Sequence, residues 1–167
     1  MDMNTLKIIA FVFLLIGSSS CKKKSDDSFK FSNLKNKQIV RDEVRLFSQQ
    51  EIESLSNKIK EFEYTTTNEI AVVTIDSLPN LTHPVVYAAK LAQQLGVGKA
   101  EFNNGLLLLV AVKNREVAIA TGLGTEQILT DSICKVIIDQ FIVPEFKNGH
   151  YYSGVENGLV ELMRLWQ

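Results

Sequence analysis

Five oxygen-bearing residues, Asp42, Asn103, Asn104, Glu126 and Asp131, stand where the chain passes from one element to the next. Converging at one end of a sheet, they would supply what a hard divalent cation such as Ca²⁺ or Mg²⁺ takes: carboxylate and amide oxygens, completed by backbone carbonyls. The same residues have a plainer use. Asp42 and Asp131 suit the capping of turns or helices, and Asn104-Gly105 suits a turn of the chain.

Other chemistry has less to work with. No serine or cysteine sits in a nucleophile elbow, and His83 and His150 fall next to Pro84 and Gly149 in expected loops, as surface histidines. Gly122-Leu-Gly124 follows a strand, but the third glycine of a dinucleotide loop would fall on Gln127, so a tight turn is expected there. Cys134 lies among Ile133, Val136 and Ile137 and reads as a small buried residue. Phe62 and Trp166 read as core.

The elements that must position these residues are ordered around Leu106 to Val112, an uninterrupted apolar run between Asn104-Gly105 and Lys113-Asn114-Arg115. Such a run predicts a central strand buried on both faces. Ile39 to Val44 is a short extended piece. Ser48-Gln-Gln-Glu51 has capping-box spacing and starts a helix whose apolar face is Ile52, Leu55, Ile59 and Phe62. Glu69 to Ile75 is β-branched and reads as a strand. Pro84 opens a second helix through Val86, Ala89 and Leu91, stopped at Gly96, so the strand, helix, strand order implies a right-handed parallel crossover. Glu116 to Thr121 returns antiparallel through a tight connection. A third helix from about Thr130 carries Ile133, Val136, Ile137 and Phe141 and halts near Pro144, and a last one carries Val155, Leu159, Leu162 and Met163.

Length and charge narrow the setting. The 167 residues hold 18 Lys plus Arg against 19 Asp plus Glu, a net charge of -1 with interspersed signs, which disfavours nucleic acid as a partner. Lys7 and the uncharged run Ile8 to Ile16 are too short to span a bilayer, which takes about 20 residues, and suit a secretory signal peptide over 1–20. Cys21 follows Ser19 and Ser20 as the lipid-bearing cysteine of a bacterial lipobox does, although Ser18 stands where that pattern prefers an aliphatic residue. An ordinary signal peptide cleaved nearby would instead leave Cys21 as a free thiol. Residues 21–37 are rich in Lys, Ser, Asp and Asn and read as a flexible tether, leaving 38–167 as one domain. The expected place is the cell envelope, lipid-anchored to a membrane and facing the periplasm or the exterior.

Taken in order, the motifs resemble those of the TPM domain, a family of exported or lumenal domains that includes a thylakoid protein linked to photosystem repair. The family's V-x-D and L-L-S-x-E-E are similar to Val40-Arg-Asp42 and Leu46-Phe-Ser-Gln-Gln-Glu51. Its G-x-x-I-x-V-V-T-V resembles the strand to Ile75, and its G-I-G-x-K-x-x-D-N-G-V-L-L-L-V resembles Gly96 to Val110. Its V-G-x-G-x-E-x-x-L-x-D is similar to Thr121 to Asp131, and its P-x-F-x-x-G-x-Y ending to Pro144 to Tyr151. The resemblance implies an α/β fold, a three-layer α/β/α sandwich around a small mixed β-sheet. It also implies divalent-cation binding in some members and weak phosphatase activity in some. Asn103 stands where the family usually has Asp, which keeps an oxygen but removes a charge.

Two functions follow as expectations. One is a lipid-anchored accessory module that binds a membrane-associated protein partner, and Ca²⁺ or another divalent cation through Asp42, Asn103, Asn104, Glu126 and Asp131. The other is a weak metal-assisted phosphomonoester hydrolase, with the metal polarising phosphate and activating water.

Overall fold

Burial on both faces is what an uninterrupted apolar run demands, and every residue of β3 (Gly105–Ala111) is buried in the computed structural model, which describes residues 39–167. Around it lie β1 (Val40–Asp42), β2 (Glu69–Ile75) and β4 (Glu116–Thr121) in a four-stranded sheet of order β1-β2-β3-β4. β1, β2 and β3 run parallel, with Val40 opposite Val72 and Glu69 opposite Gly105. β4 returns antiparallel from Ala111 opposite Glu116 to Leu106 opposite Thr121. The expected signal segment, Cys21 and the tether lie outside the described residues. Among the described residues, no helix is long and apolar enough to cross a membrane.

Alternation along the strands divides the core in two. Leu106, Leu108 and Val110 join Val40, Ile70, Val72 and Ile119 on one face, covered by α1 (Gln49–Thr66) through Leu55, Ile59 and Phe62 and by α6 (Tyr151–Leu165) through Val155, Leu159 and Leu162. Leu107, Leu109, Ala118 and Ala120 face the other way, against α2 (Pro84–Leu95) with its buried Tyr87, Ala88 and Leu91. The result is the expected three-layer sandwich. Because α1 and α2 cover opposite faces while both crossovers step the same way along the sheet, the two crossovers have opposite hands. The right-handed rule can therefore hold for only one of them.

Local signals place the helix ends. Ser48 accepts from the Glu51 N–H and Glu51 reaches back to the Ser48 N–H at 2.7 Å, the reciprocal box that the spacing predicts. Gly96 ends α2 at φ 64°. Of the expected face of α2, Leu91 is buried, but Val86 is half exposed and Ala89 exposed, with Tyr87 and Ala88 buried in their place. Val85 to Ala89 are all apolar, so the periodicity cannot fix the phase.

The third helical segment also differs from expectation. α4 (Asp131–Ile137) passes through a π-helical turn, Ile138–Ile142, directly into α5 (Val143–Lys147). Pro144 follows directly on this π turn, where the Val143 N–H still bonds the Ile138 carbonyl, so it is taken into a continuing helical segment and does not act as a stop. Phe62 and Trp166 are core residues as expected, with ring centroids 5.8 Å apart.

Candidate functional site at the two ends of the sheet

Asp42 closes β1 at the carboxyl end of the parallel strands, opposite Thr74. The chain must then reverse into α1, and Asp42 holds that reversal. Its carboxylate accepts the N–H groups of Leu46 at 3.0 Å and Phe47 at 2.8 Å, and also the Thr74 hydroxyl. Thr74 is fully buried, so Asp42 is what satisfies it. Burial acts to raise the Asp42 pKa, but the hydrogen bonds from Thr74, Phe47 and Leu46 outweigh it and hold the carboxyl below its ordinary value.

Asn103 and Asn104 lie at the other end, where β3 begins. The buried Asn104 side chain accepts the Lys99 N–H at 2.9 Å within its own loop and donates to the Thr67 carbonyl at 2.8 Å, tying the α2–β3 loop to the α1–β2 loop. Beside it, the buried carboxylate of Glu69 accepts the Gly98 N–H at 2.8 Å. Asn103 is exposed in the left-handed region at φ 49°. Its backbone carbonyl accepts the N–H of Gly124 at 3.1 Å and lies within 3.4 Å of the Thr125 N–H. Thr125, fully buried, donates its hydroxyl to the Gly105 carbonyl at 3.0 Å. The exposed Glu126 ends a one-turn helix, α3 (Leu123–Glu126), on this same end.

The glycines of this end serve chain-to-chain contact. A Cβ on Gly122 would lie 2.2 Å from the Asn103 carbonyl oxygen, one on Gly124 2.1 Å from that of Phe102, and one on Gly105 2.4 Å from that of Val97. The space a phosphate would occupy over a glycine loop is filled here by the protein's own backbone. In place of the tight turn expected at Gly122-Leu-Gly124, Gly122 caps the one-turn helix α3, which Leu123 and Gly124 begin.

The expectation that all five oxygen-bearing residues converge is corrected by the topology. Asp42 ends a strand parallel to the one that Asn103-Asn104 begins, so they fall at opposite ends of the sheet. Thr74, beside Asp42, pairs with Val110, and the six steps back to Asn104 span roughly 20 Å at about 3.3 Å per residue. Asn103, Asn104 and Glu126 share one end, although the Asn104 side chain is already committed to Lys99 and Thr67. Asp131, exposed in the first turn of α4, lies along neither end but in a cleft beside β4. Among the described residues, no group of three or more His, Cys, Asp or Glu is placed to hold a metal. The donor set therefore does not fit a single cation centre built from the five.

The remaining reactive groups are quiet. Burial, reinforced by Asp131, pushes the Cys134 thiol up to about 11, which keeps it protonated and inert at neutral pH. His150 faces Glu145 at 3.2 Å on the surface, and His83 precedes α2 without capping it through its side chain. Glu69, Thr74 and Thr125 were not singled out from the sequence. Glu69 and Thr74 are signalled only by polarity at strand positions that the pattern expects to be apolar, and Thr125, in α3, has no such signal.

This geometry coincides with a known family. The model described as TPM domain, whose name also carries the word phosphatase, matches residues 40–165. The chain belongs to the TPM domain family. Among solved structures, an N-terminal domain of a protein from P. gingivalis is 32% identical over 77% of this chain and 82% of its own, with a TM-score of 0.71. The N-terminal domain of the cg2496 protein from Corynebacterium glutamicum is 16% identical over 78% of this chain and 80% of its own, TM-score 0.61. The BA42 protein from Bizionia argentinensis is 20% identical over 72% and 86%, TM-score 0.61. The last two share the fold. No curated protein matches the chain. The TPM match spans the whole described sheet, from Val40 to Thr121.

Proposed function

We propose that this TPM domain is a binding module of the cell envelope, held to a membrane by lipid on Cys21 and engaging a membrane-associated protein. The observation that carries the reading is that the buried and part-buried side chains able to do chemistry are spent on the fold. Asp42 accepts three donors at the turn into α1, Cys134 is buried and protonated, and Asn104 and Glu69 anchor loops. Catalysis by differential stabilisation of a transition state needs groups left free to follow developing charge. The lipobox-like Ser18-Ser-Ser-Cys21 supplies the anchor.

Fractionation of cells making the full chain tests this. Labelled fatty acid is expected on the protein, the protein is expected in the membrane fraction, and both are expected to be lost in Cys21→Ser. A soluble, unlabelled wild type would end the anchoring claim. Crosslinking in the intact envelope should return a protein partner specific to this domain.

The family model's name favours a second reading, a weak phosphomonoester hydrolase. It requires Mg²⁺- or Ca²⁺-dependent turnover of an aryl phosphate that survives repurification and falls in a variant that stays folded.

Within the binding reading, a divalent cation belongs to the amino end of β3, where Asn103 and Glu126 are exposed and their loops touch, and not to Asp42. With Glu126 the one carboxylate between them, affinity is expected to be weak, around 1 mM. In a Ca²⁺ titration followed by amide NMR, the shifts should gather at Asn103 and Glu126 and be unchanged in Asp42→Asn. Shifts centred on Asp42, or none at all, would overturn that assignment.

A further inference from the structure

β4 is an edge strand, and among the described residues no strand pairs with its outer side. The Gly122 N–H bonds the Gly105 carbonyl at 2.8 Å, which identifies that register position as one exchanging bonds with β3. Bonding alternates along an antiparallel pair, so Ala120, Ala118 and Glu116 also face β3. The backbone N–H and C=O groups of Val117, Ile119 and Thr121 therefore point away from the sheet. Among the described residues, no backbone group outside the ladder bonds them. The strand reads Glu-Val-Ala-Ile-Ala-Thr, pairs without a bulge, and contains no lysine, proline or inward charge of the kind that blunts an edge. The opposite edge, β1, is only three residues long.

The edge lies in a trough between the two helical layers. A cleft of about 620 Å³ has Val117 and Ile119 in its floor, Val85 and Val86 of α2 on one wall and Ile138 on the other. Val85 and Val86 are 42% and 49% exposed, apolar surface that faces this cleft. A second cleft of about 480 Å³ continues past Val117 to Val143 and Lys147 at the β3–β4 turn, and the two share Arg115, Glu116, Val117 and Val143. At that turn Arg115 and Lys147 are exposed. Neither takes part in the ion pairs formed among the described residues, and with Glu116 they leave the turn end net positive.

We propose that β4 accepts an extended peptide segment of a partner protein as a fifth strand, apolar at alternate positions and acidic where it passes Arg115 and Lys147. This rests on the binding-module reading and gives the partner its chemistry. Outward groups at every second residue are matched by another extended backbone, whose side chains alternate between the α2 wall and the α4 to α5 wall. The basic turn end selects the acid.

The test uses the ¹⁵N-labelled protein and a phage-displayed library of short linear peptides. Without peptide, the amides of Val117, Ile119 and Thr121 should exchange at least about 100-fold faster than those of Ala118 and Ala120. Selected peptides should alternate apolar residues, carry Asp or Glu, and shift and protect those three amides. Val117→Pro removes an outward N–H together with part of the Val117 packing, at a position compatible with an edge strand, so it should fold and lose at least about tenfold in affinity. Arg115→Glu with Lys147→Glu, both exposed, tests the acid independently and should lose a similar factor. The proposal is overturned if no peptide is selected, if selected peptides shift residues elsewhere, if both variants bind as wild type, or if the edge is taken up by a second copy in sedimentation. An envelope protein that crosslinks equally to wild type and Val117→Pro would sink this inference while leaving the binding-module reading standing.

Discussion

Gly105→Ala is expected to cost on the order of 3–5 kcal/mol, a large share of the 5–15 kcal/mol that holds a typical domain together. The added methyl would lie 2.4 Å from the Val97 oxygen, 2.7 Å from its carbonyl carbon and 2.9 Å from the Gly98 Cα, all backbone atoms with no rotamer to relieve the contact. Moving the strand instead would break the bonds that the Gly105 carbonyl accepts from the Gly122 N–H and the Thr125 hydroxyl. Urea unfolding should show a much lower midpoint with an unchanged slope, or no folded protein at all. A midpoint within a few tenths of wild type would mean that the loop from Val97 to Asn104 is looser than this packing requires.

Asp42→Ala should be the next most damaging change, by about 2–4 kcal/mol, because it removes three charge-assisted bonds and strands the buried Thr74 hydroxyl. Its acid dependence has a definite sign. The folded-state pKa is depressed below the ordinary 3.8, so the stabilisation is fully present above that value and is lost as pH falls through the folded-state value. The wild-type melting temperature should therefore drop in acid more steeply than that of Asp42→Asn, which keeps one acceptor and carries no charge. Parallel curves for the two proteins would show that the carboxylate's charge contributes nothing to this turn. The same pair of variants separates stability from chemistry: loss of an activity in Asp42→Ala alone, with Asp42→Asn intact, would report unfolding.

The sheet was legible because its signals are local and redundant. The apolar run at Leu106, the β-branched run ending at Ile75, the capping box at Ser48 and the Gly96 stop each specify one element, and together they leave few ways to arrange the layers. The five-residue centre was not, because a loop position does not say which end of the sheet it occupies. In parallel strands the residue that closes one and the residue that opens the next lie a strand length apart, and this is what separates Asp42 from Asn103. The continuation of α4 through a π turn was also hidden: Pro144 reads as a stop unless its predecessor is already helical. The edge groove had no sequence signature beyond what β4 lacks.

The register also orders events in time. The pairs of β3 with β4 lie from 5 residues apart at Ala111 and Glu116 to 15 at Leu106 and Thr121, whereas β2 and β3 pair across 36 residues and β1 and β2 across 32. Closing the short loop loses less chain entropy, so the hairpin is the segment able to assemble first, on a scale of roughly 1–10 μs. That gives Leu106 to Val110, an uncharged apolar stretch prone to aggregate when bare, an early neighbour on one side while its parallel partner is still unmade. The exposed interval of the nascent fold is then set by how long the β2 side of that hairpin stays bare.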